Sequence, residues 1–237
     1  MPGLSKEIHL SGIVVVVGNY GSGKTEVCIN LAVNRKRAGL DVRIADLDLV
    51  NPYFRTREAK NTLADLGIEV VVPQQEFLQA DLPVLSPVVA GMIRQPGQLA
   101  ILDVGGNDTG AIVLAALEDA FAHKDARVLQ VINPMRPFTS SFEGCLKIQK
   151  EIEGAAKMTV SGIIGNANLI DETSPDDIYH GHDFVKALAD RTGLTLEFVT
   201  VARELLPKMD ASRFACPVLP IDRQLVPPWK KADKLGG

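Results

Sequence analysis

GIVVVVGNYGSGKT, residues 12–25, decides the architecture. Five consecutive β-branched aliphatic residues, 13–17, read as a strand buried on both faces, an environment that a helix-covered parallel sheet provides. Gly18 stops that strand, and the stretch GNYGSGKT that it opens matches the pattern G-x-x-x-x-G-K-[ST] in full. Residues 24–38 then read as a helix with Gly39 as its stop. Glycines allow the backbone to curl so that successive N–H groups point inward around an anion. The helix that follows adds the partial positive charge of its N-terminus. The candidate phosphate contacts are therefore Gly18, Asn19, Tyr20, Gly21, Ser22, Gly23, Lys24 and Thr25, with Glu26 next to them. In such a loop the Lys24 ammonium reaches the β- and γ-phosphates and the Thr25 hydroxyl binds Mg²⁺.

Outward from this loop, apolar runs alternate with amphipathic segments. Strands are expected at 42–45, 69–72, 99–102, 127–132, 160–164 and 196–201. Helices are expected from Ser86-Pro87 onward and over 111–122, 141–155 and 176–191. That alternation predicts an α/β fold of three layers, a doubly wound and mainly parallel sheet with helices on both faces. No Ser/Gly-rich linker interrupts it, so residues 1–237 read as one domain. Residues 73–97, with four prolines, read as an elaborated connection, and 222–237 as a poorly packed tail.

Composition agrees with this reading. Hydrophobic residues make up 46% and aromatic residues only 5% of the chain, so Val, Ile, Leu and Ala supply the core. A net charge of −4 argues against broad electrostatic binding of nucleic acid. Cys28, Cys145 and Cys216 form no CxxC pair and are expected as buried thiols of a reducing compartment. No signal peptide is legible, and the aliphatic run 13–17 is far too short to cross a bilayer. A cytoplasmic location is expected. The HGH at 180–182 reads as a surface turn, and Trp229-Lys230-Lys231 as part of the plain tail.

A phosphate loop needs carboxylates near its metal. LAILDVGG, residues 99–106, delivers Asp103 at the end of an apolar strand, where a carboxylate neutralises and positions Mg²⁺. Gly105 and Gly106 follow, with a bare backbone suited to approach the γ-phosphate. ADLDLVNP, residues 45–52, places Asp46 and Asp48 on the same side of an extended segment. One of them stands near the metal and the other orients the attacking water; the sequence does not rank them.

These residues resemble the ParA/MinD/CobQ-like P-loop ATPases, part of the wider class that holds the signal-recognition GTPases and nitrogenase iron protein. GNYGSGKT resembles their GKGGxGKT loop, ADLDLVNP their D-x-D-P-type segment, LDVGG their second aspartate motif, and VINPMRPFTSSFEG (131–144) the strand and turn beyond. The resemblance covers roughly the first two-thirds of the chain. It implies a MgATP-dependent switch, in which two subunits close around two nucleotides and act on a protein partner. This chain departs from the pattern at Asn19, where the family carries its signature lysine, which normally reaches the partner's nucleotide. Arg55 and Arg57 are candidates to replace that charge. Guanine readers of the class carry N-K-x-D after a late strand; aligning Asn166 with that Asn puts Ala167 at the Lys and Leu169 at the Asp. The expectation is ATP, with Asn166 or Asn168 touching the base and 217–220 as a second base-side loop. Rival readings are a GTPase metallochaperone, an ATP-dependent small-molecule transferase or ligase, and a module that binds nucleotide without hydrolysis.

Overall fold

The computed structural model describes residues 6–48, 55–72, 87–106, 108–226 and 232–235. Its frame is one sheet of eight strands: β1 (Gly12–Val17), β2 (Val42–Leu47), β3 (Glu69–Val71), β4 (Leu99–Val104), β5 (Ala126–Ile132), β6 (Gly162–Gly165), β7 (Thr195–Ala202) and β8 (Val218–Ile221). They stand in the order β3-β2-β4-β1-β5-β6-β7-β8, and every neighbouring pair is parallel. The seven helices among the described residues are α1 (Lys24–Arg37), α2 (Lys60–Asp65), α3 (Pro87–Arg94), α4 (Asp108–Ala115), α5 (Glu118–Phe121), α6 (Phe142–Ala156) and α7 (Pro175–Thr192).

Alternate residues of each central strand feed opposite cores, as the pleat dictates. Val14 and Val16 of β1 join Ile101, Val131 and Phe198 beneath α1 and α2. Ile13, Val15 and Val17 join Leu102 and Val128 beneath α3, α4 and α6, and the same face continues under α7 through Ile163, Val199 and Val201. The three-layer, doubly wound expectation is met, and the sheet is wholly parallel. Local signals set the helix ends. Ser141 accepts a hydrogen bond from Gly144 N at the start of α6. Ser174 and Asp177 cap α7 reciprocally with Pro175 following, and Gly193 ends it at φ 73°.

Four expectations need correction. The helix expected over 111–122 is broken between α4 and α5, where Leu117 N–H bonds Leu114 O and tightens the turn. Residues 218–221 are a strand rather than a base-side loop; β8 tolerates Pro220 because it has a neighbour on one side only. The HGH lies inside α7, where Gly181 packs onto Ala167 and buried His182 accepts a hydrogen bond from Ala215 N through Nε2 at 3.0 Å. The described part of the expected loose tail is anchored: Leu235 is buried and Leu225 packs against the α1-side core. Trp229 and its lysines, residues 73–86 and the segment 49–54 lie outside the described residues. Cys28, Cys145 and Cys216 are free and buried, as expected. Among the described residues no helix is long and apolar enough to cross a membrane.

β1 lies between β4 and β5, so the connections leaving its C-terminal end and those of its neighbours diverge around one crevice. In an open parallel sheet that crevice is the place for a ligand. The loop 18–25 occupies it.

Candidate functional site

The loop leaves β1 at Gly18 and turns into α1 through Gly23, which adopts φ 89° as the residue before the helix. A side chain at Gly23 would be strained by that angle, and its Cβ would collide with the Asn166 amide. Lys24 is almost fully buried, and its Nζ donates to the loop's own Asn19 carbonyl at 3.0 Å. Burial pushes the Lys24 pKa down, while Asp103 and then Asp48 pull it back up. The ammonium is thus drawn inward by carboxylates from two neighbouring strands. Ser22 is buried too, and its Oγ has no hydrogen-bond partner. Tyr20 stands 62% exposed, at the mouth of the loop.

On the β4 side the strand ends bring three carboxylates together. Asp46 and Asp103 are register partners on adjacent strands, both fully buried. Burial raises the Asp103 pKa to about 7, repulsion from Asp46 adds to the rise, and the Thr56 hydroxyl, Lys24 and the Thr25 hydroxyl oppose it. Asp103 Oδ2 accepts from Thr56 Oγ1 at 2.7 Å, and Oδ1 receives the Cys28 thiol at 3.7 Å. Thr56, and the contact of the expected buried thiol Cys28 with Asp103, are not legible in the sequence, because nothing local marks a threonine or a cysteine as the partner of a distant aspartate. Asp46 Oδ2 accepts from Arg57 Nε at 2.7 Å and from Arg57 N at 3.1 Å, while its Oδ1 takes Asp48 N–H at 3.1 Å. Both of its oxygens are occupied. Arg57 also donates to the Asp48 carbonyl at 3.0 Å, so of the two arginines offered as replacement charge Arg57 is already paired, while Arg55 Nε is buried without a partner among the described residues.

Asp48 is buried and lies against Gly105, where a Cβ would come within 3.0 Å of Asp48 Oδ1. Gly106 lies directly on the loop. A Cβ there would stand 2.9 Å from Tyr20 N and 3.2 Å from Lys24 Nζ. Asp103, Asp48, Thr25, Lys24 and Gly106 therefore converge on the β4 side of the crevice.

On the β5 side the chemistry is amide rather than carboxylate. Asn166, buried at the end of β6, donates through Nδ2 to the Ser22 carbonyl at 2.7 Å and accepts the Thr200 hydroxyl on its Oδ1. The amide expected to touch the base is spent on clamping the loop. Asn168 is likewise engaged: its Oδ1 takes Ile170 N–H, and its carbonyl accepts Asn133 Nδ2 at 2.9 Å. Buried Asn133, missed in the sequence, also takes Met135 N–H on its Oδ1 at 3.0 Å. Glu26 faces away from the loop, toward the C-terminal segment. Its carboxylate accepts Gln224 N–H at 2.8 Å and Leu225 N–H at 3.0 Å, and burial lifts its pKa to about 7.

No family model matches this chain, and no curated protein matches it. Solved structures do. The cell division protein FtsY from Thermotoga maritima superposes with a TM-score of 0.57 at 20% identity, covering 83% of this chain and 64% of that one. The signal recognition particle 54 kDa protein from Aeropyrum pernix K1, in complex with GDP, gives 0.51 at 18% identity over 79% of this chain and 40% of its own. FlhF complexed with GTP/Mg²⁺ gives 0.52 at 18% identity over 83% and 68%. The chain spans less than two thirds of the first of these proteins. At such identities the likeness shows the fold alone: a P-loop α/β sheet of the kind found in the signal-recognition proteins.

Proposed function

We propose that this chain binds a magnesium nucleoside triphosphate, ATP in preference to GTP, hydrolyses it slowly, and uses the change to alter contact with a partner. The observation that carries the reading is the seat of Gly106 against Tyr20 and Lys24. It brings the bare backbone after Asp103 onto the phosphate loop, beside one buried ammonium and next to the orphaned Ser22 hydroxyl of the same loop, whose remaining N–H groups would line the cradle. Those donors fit a polyphosphate. The Thr25 hydroxyl and the Asp103 carboxylate, neighbours in this structure, fit a magnesium ion between them and the phosphates. Bound Mg²⁺ would supply charge neutralisation on the phosphate oxygens.

The chain's own part in the reaction is positioning and electrostatics. Lys24 and the loop N–H groups hold the phosphates. Asp48, set against Gly105, would accept a hydrogen bond from the attacking water, while Asp46, held by Arg57 and by the Asp48 amide, keeps the strand ends together. Closure of the β4 side over the nucleotide would displace the segment at 55–59 and change the surface near exposed Tyr20, suiting a protein partner or a second copy of the chain. The resemblance to ParA/MinD-like ATPases and Leu169 at the guanine-reading position favour ATP. A GTP-specific reading is favoured instead by the GDP and GTP/Mg²⁺ carried by two of the similar structures.

Titration with MgATP, MgADP and MgGTP, run alongside phosphate release and size measurement, tests both. The expected outcome is MgATP bound at least about tenfold tighter than MgGTP, with phosphate release. Lys24→Ala should weaken binding about a hundredfold, the worth of a buried charge-assisted contact to phosphate. Affinity for MgGTP above MgATP would transfer the reading to a GTPase. No affinity for any magnesium nucleotide would end it.

A further inference from the structure

The turn after β5 carries an arginine that the site described so far does not use. Arg136 is the residue before the short helical turn Pro137–Thr139, in extended conformation. The turn is tightly built. Arg136 N–H donates to the Asn133 carbonyl at 3.1 Å, Thr139 N–H returns to the Arg136 carbonyl at 3.0 Å, and the Thr139 hydroxyl also reaches the Asn133 carbonyl, at 2.6 Å. Asn133 is itself buried and bonded across to residue 168. The backbone at Arg136 is therefore fixed from three directions.

From that position the side chain reaches the phosphate loop. Its Nε stands 4.0 Å from where a Cβ on Gly21 would be. The Nε atom is sealed from solvent and has no hydrogen-bond partner, and among the described residues no carboxylate pairs with the guanidinium. Guanidinium is always charged and offers five donors in a rigid fork. Burying part of it without a partner is unfavourable unless an anion completes the site. A second orphan lies on the same loop: Ser22 Oγ, one residue from Gly21 and 99% buried by its residue exposure of 1%. Two donors without partners thus lie against the loop, Arg136 Nε beside Gly21 and Ser22 Oγ beside Gly18. Arg57 is spoken for by Asp46, and Lys24 lies toward the β4 side.

We infer that Arg136 is a phosphate-binding residue, supplied by the turn after β5 to the flank of the polyphosphate opposite the Thr25–Asp103 metal side. The inference rests on the proposed nucleotide site and adds a cation that its sequence motif does not contain. The division of labour is electrostatic. Metal and Lys24 neutralise the oxygens facing β4, and the Arg136 fork takes oxygens facing β5. Because the contact is to phosphate, it does not depend on the base.

The test uses the full chain with three probes: MgATP, MgADP and inorganic tripolyphosphate. Binding is measured for the unaltered protein, Arg136→Ala and Arg136→Lys, and unliganded melting is recorded for each. A charge-assisted contact of this kind is expected to weaken all three probes by about ten- to a hundredfold in Arg136→Ala. Arg136→Lys should recover part of the affinity, with unliganded melting unchanged in both variants. Equal binding by the unaltered protein and Arg136→Ala overturns the inference and leaves the nucleotide site standing. Weakening for nucleotides but not for tripolyphosphate also overturns it, since the arginine would then read base or ribose. So does a loss that is equal in Arg136→Ala and Arg136→Lys and tracks a lowered melting midpoint, which marks a structural role. If the unaltered protein binds none of the probes, the nucleotide reading and this inference fall together.

Discussion

On the β4 side of the phosphate loop, Asp46, Asp48 and Asp103 are crowded into a space where the first and last are fully buried register partners. On the β5 side, Asn133, Asn166 and Thr200 do the same structural work with neutral groups whose hydrogen bonds close on one another and on the loop. Both flanks are buried, yet they differ in what a ligand would change. The Asn133 and Asn166 amides of that flank are already satisfied and have no reason to move, leaving Arg136 as the group there that a ligand would engage. The carboxylate flank is held by borrowed partners: the Thr56 hydroxyl on Asp103 and the Arg57 guanidinium on Asp46. On the proposed reading, a metal that reaches Asp103 must share or displace Thr56. The loop thus sits between a fixed wall and a wall built to exchange its contacts.

Removing one member of the exchangeable wall is expected to have the largest effect. Asp46→Ala strips the counter-charge from Arg57, whose side chain is only 19% exposed. Breaking such a buried pair costs about 3–4 kcal/mol. Denaturant unfolding of Asp46→Ala, Arg57→Ala and the double variant measures it, and the double variant should fall well short of the sum of the singles. Full additivity would mean that the pair does not hold the wall, and the contrast between the flanks would lose its basis.

The pH dependence of the metal-free protein sharpens the same contrast. Asp103 and Glu26 both have folded pKa values raised to about 7, chiefly by burial. Unfolded, each carboxyl titrates near 4, so between about pH 4 and 7 the native state holds more protons than the unfolded state. Their contribution is fully present below the unfolded pKa and is lost as pH rises through the folded one. Stability in a chelator should therefore fall by about 5 kcal/mol from pH 5 to 8, roughly half from each carboxyl. Asp103→Asn and Glu26→Gln should each remove about half of that slope. Asp46→Ala should also flatten it, since Asp46 is a cause of the Asp103 shift. A stability that rises over this window would contradict the account of the carboxylate wall.

What the sequence disclosed of these two walls follows the range of the interactions. The loop 18–25 was legible because its chemistry is contiguous, and Asp103 because an apolar run must end before it. Thr56 meets Asp103 across 47 residues and Asn166 meets Ser22 across 144, and no periodicity records either contact. Arg57 was noticed for its charge but assigned outward, since its buried partner Asp46 becomes apparent only when the turn at 55–59 folds back on β2. β8 was hidden by Pro220, which argues against a strand unless the strand is at an edge. The anchoring of residues 224–225 depends on Glu26, which the sequence had assigned to the nucleotide because it follows the loop directly.

The fixed wall gives the smallest but most discriminating prediction. Asn166→Ala removes the donor to the Ser22 carbonyl and the acceptor of the Thr200 hydroxyl, both in buried surroundings. Leaving such groups unpaired costs about 1–2 kcal/mol here, because the cavity left by a short amide is small and polar enough for water to enter. Measured by chemical unfolding, that loss should be independent of pH between 5 and 8, unlike the loss on the carboxylate side. Asn166→Asp separates clamping from base reading: it keeps the Thr200 acceptor but places a carboxylate against the Ser22 carbonyl, so it should destabilise at least as much as alanine. If Asn166 instead served the base alone, both variants would keep the stability of the unaltered protein and lose only nucleotide affinity. The Asn166 clamp would then be unfinished without its ligand, rather than complete before the ligand arrives.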